Sequence, residues 1–228
     1  MQNAEDDMQI LEVRKITSDK VRIALENGSS FVLYAGEAAR YHIAENGELS
    51  DETLRLIYDE ILEKRAKKRC LYLLKDMDRT EGQLRERLQR DGYPESVIQS
   101  ALAYVASFHY TDDRRYVRNY IDQMKGRKSL RMIGFDLMRK GVDRSLIDEA
   151  LEQTTCQEEE DPDLQAILRL AEKRHYHPDT ADRRETDRLM RYLMGKGFTP
   201  DSVRRALRSM QEAQQDSETS GFHDVSET

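Results

Sequence analysis

"LQRDGYPESVIQSAL", residues 88–102, reads as the end of one helix, a stop at glycine and the start of another. Its outline returns as "LMRKGVDRSLIDEAL" at 137–151 and as "LMGKGFTPDSVRRAL" at 193–207. Aligned on Gly92, Gly141 and Gly197, the copies share a leucine four residues earlier (Leu88, Leu137, Leu193) and an aliphatic eight earlier (Leu84, Ile133, Leu189). Six residues after the glycine stand Ile98, Ile147 and Val203, and ten after stand Leu102, Leu151 and Leu207. Positions four apart share a helical face, so each copy predicts two amphipathic helices around one joint. Glycine sits where the first helix closes in a left-handed turn, which costs other residues about 1–2 kcal/mol. Pro94 and Pro200 suit the first turn of the second helix, where a missing N–H costs nothing. Thr80 followed by Gln83 reads as a capping box.

A further amphipathic segment precedes each joint: Ala66–Leu74, Tyr116–Met124 and Leu164–Leu170. The repeating unit is therefore three helices, and one such unit leaves an apolar face that its neighbour must cover. The expected fold is mainly α, an elongated and curved tandem array of three three-helix repeats. A small N-terminal β-hairpin module and a linking helix precede it. The expected boundaries are a strand module with an acidic start at 1–50, a linking helix at 51–65, and repeats at 66–110, 111–157 and 158–210. Beyond, 211–228 is polar, acidic and without period, and is expected to be disordered.

The strand module rests on "MQILEVRKI" and "KVRIALENGSSFVLY", whose alternating apolar residues flank an Asn-Gly hairpin signal. Two or three strands are expected over 8–45, too small a sheet to stand without support. Helical spacing takes over at Leu54, Ile57, Tyr58 and Ile61, with Ser50 or Asp51 as the N-cap.

Composition narrows the classes further. With 36% charged residues, 7% aromatics and no Trp, the chain favours helices with solvated outer faces. No apolar run reaches the roughly 18 residues of a membrane span, and no signal segment opens the chain, so a soluble cytoplasmic protein is expected. Cys70 and Cys156 have no ligand pattern around them, and Cys70 in "CLYLL" reads as a small core residue. The net charge of −7 conceals an asymmetry. The start, the 158–163 linker and the tail carry 13 negative charges, leaving the remaining body at +6. Such a body suits an anionic partner only weakly, and on charge alone a solvated helical surface is the simpler account.

Two stretches carry a family signature. "FHYTDDRRYVRNYI" (108–121) resembles the Gly-aromatic-aliphatic-Asp-Asp-x-x-aromatic-Ala segment of the RecX family of recombination regulators. "KSLRMIGFDLMRKGV" (128–142) is similar to that family's Lys-Gly-x-x-x-Ile-x-x-x-Leu-x-x-Lys-Gly-Val segment, and "DRTEGQLRERLQRDGY" (78–93) to the start of its first repeat. The resemblance spans about 66–210. His109 stands where the family has Gly, Thr111 replaces an aliphatic, Val117 an Ala and Ser129 a Gly. The resemblance implies a non-enzymatic regulator that lies in the groove of the RecA–DNA filament. There it would lower ATP hydrolysis and strand exchange and shift filament assembly. It also implies RecA as the partner, with at most a weak non-specific contact to DNA and no small-molecule substrate or cofactor.

Asp112 and Asp113 could be a catalytic carboxylate pair, but they open a helix, where capping is the simpler role. Tyr116, Val117, Tyr120, Ile121 and Met124 form one apolar stripe, with Arg114, Arg118 and Lys125 at its edge. Those cations either lie harmlessly beside the stripe or meet an acidic or phosphate surface. On the next helix Leu130, Ile133 and Leu137 face inward, while Met132 and Phe135 point nearly opposite, flanked by Arg131 and Arg139. Only the middle repeat has an apolar pair there; the strand module could cover it, or it could be a contact patch. Arg115, Lys128 and Lys140 complete the candidate partner- or DNA-binding set, and no catalytic or metal-ligating residue is assigned. His175 and His177 lack a third ligand, and no phosphate loop or nucleophile motif is present. The alternative function is direct DNA binding, with the joints as helix-turn-helix readers. Asp143, Asp148 and Glu149 disfavour the second joint for that role, whereas Arg204, Arg205 and Arg208 favour the third.

Overall fold

The computed structural model describes residues 7–157 and 160–221. Expectations resting on Glu5, Asp6, Glu158, Glu159 and the last seven residues lie outside the described part. The chain forms two compact units, Met1–Asp113 and Arg114–Thr228.

The first unit opens with an antiparallel sheet of four strands, three of them within 8–45 as expected and a fourth beyond: β1 (Met8–Lys15), β2 (Lys20–Leu25), β3 (Ser30–Tyr34) and β4 (Glu48–Leu49), in the order β3-β2-β1-β4. The Asn-Gly signal is real. Gly28 takes φ +81° and Asn27 Oδ1 accepts the Ser29 N–H at 2.9 Å, which sets Ile23 opposite Phe31. Two features differ from expectation. Residues 35–40 form a helix, α1 (Ala35–Arg40), because Ala-rich "AGEAAR" follows a cap in which the Tyr34 N–H donates to Glu37 at 2.9 Å. The fourth strand is only two residues long, too short to leave a period in the sequence, and pairs Met8 with Leu49.

Ser50, whose hydroxyl accepts the Thr53 N–H at 3.2 Å, starts α2 (Asp51–Leu56). It runs through a π-helical segment, Ile57–Glu63, into α3 (Lys64–Leu74) without a break, since Ile57 and Lys64 keep right-handed helical backbone. The linking helix and the first helix of repeat 1 are thus one rod. After it come α4 (Glu81–Asp91), with the Thr80–Gln83 capping box in place, and α5 (Glu95–Ser107), with Pro94 as its N-cap. Ile10, Ile23, Leu25, Phe31 and Leu33 of the sheet share one core with Ile57, Leu62, Ala66 and Cys70 of the rod and with Leu84, Leu88 and Ile98. Each large aliphatic buried there contributes about 1.5–3 kcal/mol, which is the support the small sheet needs.

The second unit continues α6 (Asp113–Met124) into α7 (Leu130–Arg139) and α8 (Arg144–Gln157). Their core is Val117, Ile121, Ile133, Leu137, Val142, Ile147 and Ala150. Then α9 (Pro162–Glu172), α10 (Arg183–Gly195) and α11 (Pro200–Gly221) enclose Ile167, Leu170, Leu189, Leu193, Phe198, Val203 and Leu207. The tail expected to be disordered from 211 is helical as far as Gly221. Gln, Glu and Ala outnumber breakers there, so polarity alone did not end the helix.

The three joint glycines all hold left-handed backbone, φ +86°, +75° and +93° at Gly92, Gly141 and Gly197. At two of them space is a second constraint. A Cβ on Gly92 would stand 2.4 Å from Val32 Cγ2 of β3, and one on Gly197 would stand 2.6 Å from Ser129 Oγ and 2.7 Å from Met132 Cβ. The third joint thus presses on the start of α7, and the first presses on the sheet in the same way.

Candidate partner-binding surface

The middle repeat is held from its ends by buried polar groups. Ser129 is buried, caps α7 by accepting the Met132 N–H at 3.1 Å, and donates its own N–H to Lys196 O at 3.1 Å. Its hydroxyl thus supplies a cap where the family has Gly. His109 also stands where the family has Gly, and its φ of +56° shows why glycine is at home there.

Asp113 reaches the start of another helix. Its Oδ1 accepts the N–H of Glu81, the first residue of α4, at 3.0 Å. Asp163, in the first turn of α9, repeats the contact: its Oδ1 accepts the N–H of Leu130, the first residue of α7, at 2.8 Å. Burial pushes both carboxyls above the usual carboxylate range, against the pull of those backbone donors. Asp112 is exposed beside Asp113. Asp113 Oδ1 is thus engaged by α4.

The structure divides the candidate cations into two groups. On one side of α6, Arg114 pairs with Glu149 of α8 at 3.0 Å. Arg118 lines a hollow with Ala150, Gln153 and Thr154 of the same helix. Lys125 lies 3.4 Å from Asp122 and borders a groove with Pro162, Ala166 and Arg169 of α9. Arg115 is exposed. This row was legible as a helical face, but the acidic partner of Arg114 was not.

A second group gathers where α6 meets α7. Tyr116 and Tyr120 stack with centroids 6.2 Å apart and planes 9° apart, and Lys140 Nζ lies 5.8 and 5.2 Å from their centroids. Asp136, which sequence reasoning missed, ties the group together. Its Oδ2 accepts from Lys128 Nζ at 2.6 Å and from the Tyr120 hydroxyl at 3.2 Å, while Arg139 stands 4.0 Å from Oδ1. The Lys128 hydrogen bond, chiefly, holds the Asp136 carboxyl below the usual range; burial, then the neighbouring Asp136 charge, raises the Tyr120 hydroxyl, which stays a donor. The only available signal was a lone acid among cations, three residues before Arg139.

Met132 and Phe135 part company. Met132 is partly buried against the turn at Gly197. Phe135 is 45% exposed, with the Arg131 guanidinium 5.6 Å from its centroid. Phe135, Arg131, Arg139 and Lys140 with its tyrosines thus offer aromatic and cationic contact. Among the described residues no three His, Cys, Asp or Glu side chains are grouped to hold a metal ion, and no helix is long and apolar enough to cross a membrane. On α11 the reader cations are partly neutralised, Arg204 by Asp201 at 2.9 Å and Arg205 by Asp161 at 2.5 Å.

Known proteins match this architecture repeat by repeat. Residues 66–104 match "RecX, first three-helix domain", 112–151 the second and 161–207 the third, together more than half of the chain. "Regulatory protein RecX" of Clostridium beijerinckii is 23% identical over 209 residues, covering 89% of this chain and 95% of that protein. Its namesake in Caldanaerobacter subterraneus is 26% identical over 196 residues, with 86% and 95% covered. Two solved structures share the fold, "Crystal structure of regulatory protein RecX" (TM-score 0.53, 23% identity, 86% of this chain and 97% of that one) and "Crystal structure of RecX from Lactobacillus salivarius" (TM-score 0.55, 20% identity, 66% and 97%). With all three characteristic domains present in order, each with a left-handed glycine at its inner joint, the chain belongs to the RecX family of regulatory proteins.

Proposed function

We propose that this protein is a non-enzymatic regulator that binds the RecA recombinase on DNA. There it would lower ATPase activity and strand exchange and shift filament assembly during recombination and repair. The observation that carries the reading is the ordered match of all three RecX domains. The relatives' shared name describes a regulator, which supports a role without chemistry of its own. The middle repeat supports it further, because its exposed Phe135 lies under Arg131 and beside cations that suit a protein partner. Arg118 and Lys125 add a second edge for an acidic or phosphate-bearing face.

The test is the DNA-dependent ATPase of RecA with this protein added. Turnover falls in proportion to added protein under this reading. Unchanged turnover with a folded protein overturns it. Direct sequence-selective DNA reading by the joints is the weaker alternative, since carboxylates engage both Arg204 and Arg205. Nanomolar, sequence-dependent duplex binding in the absence of RecA would favour it.

A further inference from the structure

A basic groove in the first unit lies apart from every residue assigned above. "KRAKKR" (64–69) places Arg65, Lys68 and Arg69 at i, i+3 and i+4, on one face of α3. That face borders the edge of the sheet, where Lys20 opens β2 and Tyr34 ends β3. On the far wall stand Arg87 and Asp91 of α4, followed by Tyr93 after the Gly92 joint. The groove encloses about 470 Å³, more room than a single small ion fills.

Its cations are held in place. The Tyr34 ring carries the Arg65 guanidinium at 4.6 Å and Lys20 Nζ at 5.3 Å from its centroid. Asp91 accepts Arg69 Nε at 2.8 Å, which fixes the plane of that guanidinium fork, and lies 3.5 Å from Arg87 Nε. Glu37 pairs with Arg65. Lys20 and Lys68 have no ion-pair partner among the described residues. Five cations line the groove, and even with Glu37 and Asp19 counted beside Asp91 they outnumber the carboxylates by two. Crowded like charges oppose folding, so a surplus fixed in a concavity marks a place for an anion.

We propose that this groove binds the phosphate backbone of a single-stranded nucleic acid, without regard to its sequence. Ordered guanidinium forks match phosphate oxygens. Beside Arg69 the Tyr72 ring, 66% exposed and 5.7 Å from its guanidinium, gives an unpaired base a face to stack on. An acidic peptide would use the cations and leave that ring idle. The proposal does not depend on the RecA reading, because it needs no protein partner.

The experiment titrates the full-length protein alone into a fluorescent oligothymidylate, reading anisotropy across about 50–200 mM salt. Lys20→Gln with Lys68→Gln weakens binding and makes the log–log salt slope shallower by about 1.4, roughly 0.7 for each lost single-strand contact. Lys64→Gln, on the same helix but paired with Glu60, changes neither. In the unaltered protein, an oligonucleotide carrying a photoreactive thymidine analogue cross-links to peptides holding Tyr34, Tyr72 or Tyr93, which decides the matter should the double variant misfold. The proposal is overturned if the unaltered protein does not bind, if the folded double variant keeps the parental affinity and slope, or if cross-links fall elsewhere. It is likewise overturned if the double variant loses a polyglutamate peptide but keeps the oligonucleotide, since the groove would then serve an acidic polypeptide.

Discussion

Asp163 Oδ1 accepts the Leu130 N–H at 2.8 Å, so a side chain in the first turn of α9 caps the start of α7. Asp113 does the same for Glu81 at 3.0 Å. Two contacts 50 residues apart in the chain, with one geometry and one partner type, make this carboxylate a component of the repeat rather than a local accident.

Substitution at Asp163 separates its charge from its hydrogen bond. Asp163→Ala leaves the Leu130 N–H without its acceptor and costs about 1–3 kcal/mol in urea unfolding. Asp163→Asn keeps an acceptor and removes a charge that burial opposes, so at neutral pH it retains more stability than the alanine variant. Equal losses in the two variants would show that the hydrogen bond contributes nothing.

The pH dependence has two opposing parts. Asp113 and Asp163 have folded pKa values raised above the unfolded value, so the folded state takes up protons first. Their charged-state penalty is present above the folded pKa and is relieved as pH falls towards the unfolded value. Asp136 is lowered, so its stabilising effect is present above the unfolded pKa and is lost as pH falls through the folded one. Asp136→Asn therefore destabilises at neutral pH, and its difference from the parent shrinks in acid. Thermal melts across the acid range check this, and a difference that grows in acid would contradict it.

Leu137 and Phe135 sit two residues apart with opposite fates. Leu137 is fully buried, and Leu137→Ala should cost about 2–5 kcal/mol. Phe135→Ala, at a side chain 45% exposed, leaves the melting temperature nearly unchanged but weakens inhibition of the RecA ATPase. A large stability loss at Phe135 would make it a core residue and remove it from the proposed contact.

The thiols should differ sharply. Burial pushes the Cys70 thiol up to about 11, whereas Cys156 is exposed. A thiol reagent at neutral pH modifies one cysteine in the native protein and both after denaturation. Rapid labelling of both in the native state would place Cys70 outside the core.

The repeat was legible because its signal is redundant: four aliphatic positions and a glycine recur three times, and all three glycines take the left-handed turn. The two-residue strand β4 carries no period, and the six-residue helix α1 follows β3 with no residue between them. Asp113 was legible as a cap, but a sequence cannot say that the capped helix begins 32 residues earlier. Likewise Arg114, Arg118 and Lys125 were legible as a row. Glu149, the counter-ion of Arg114, lies 35 residues away and leaves no local mark.

Gly92 abuts Val32 as Gly197 abuts Met132, so β3 stands where a preceding repeat would otherwise lie. The sheet therefore acts as a stopper. Gene duplication could lengthen such a chain between or after its existing modules, but a copy inserted ahead of the first would find its docking place already taken.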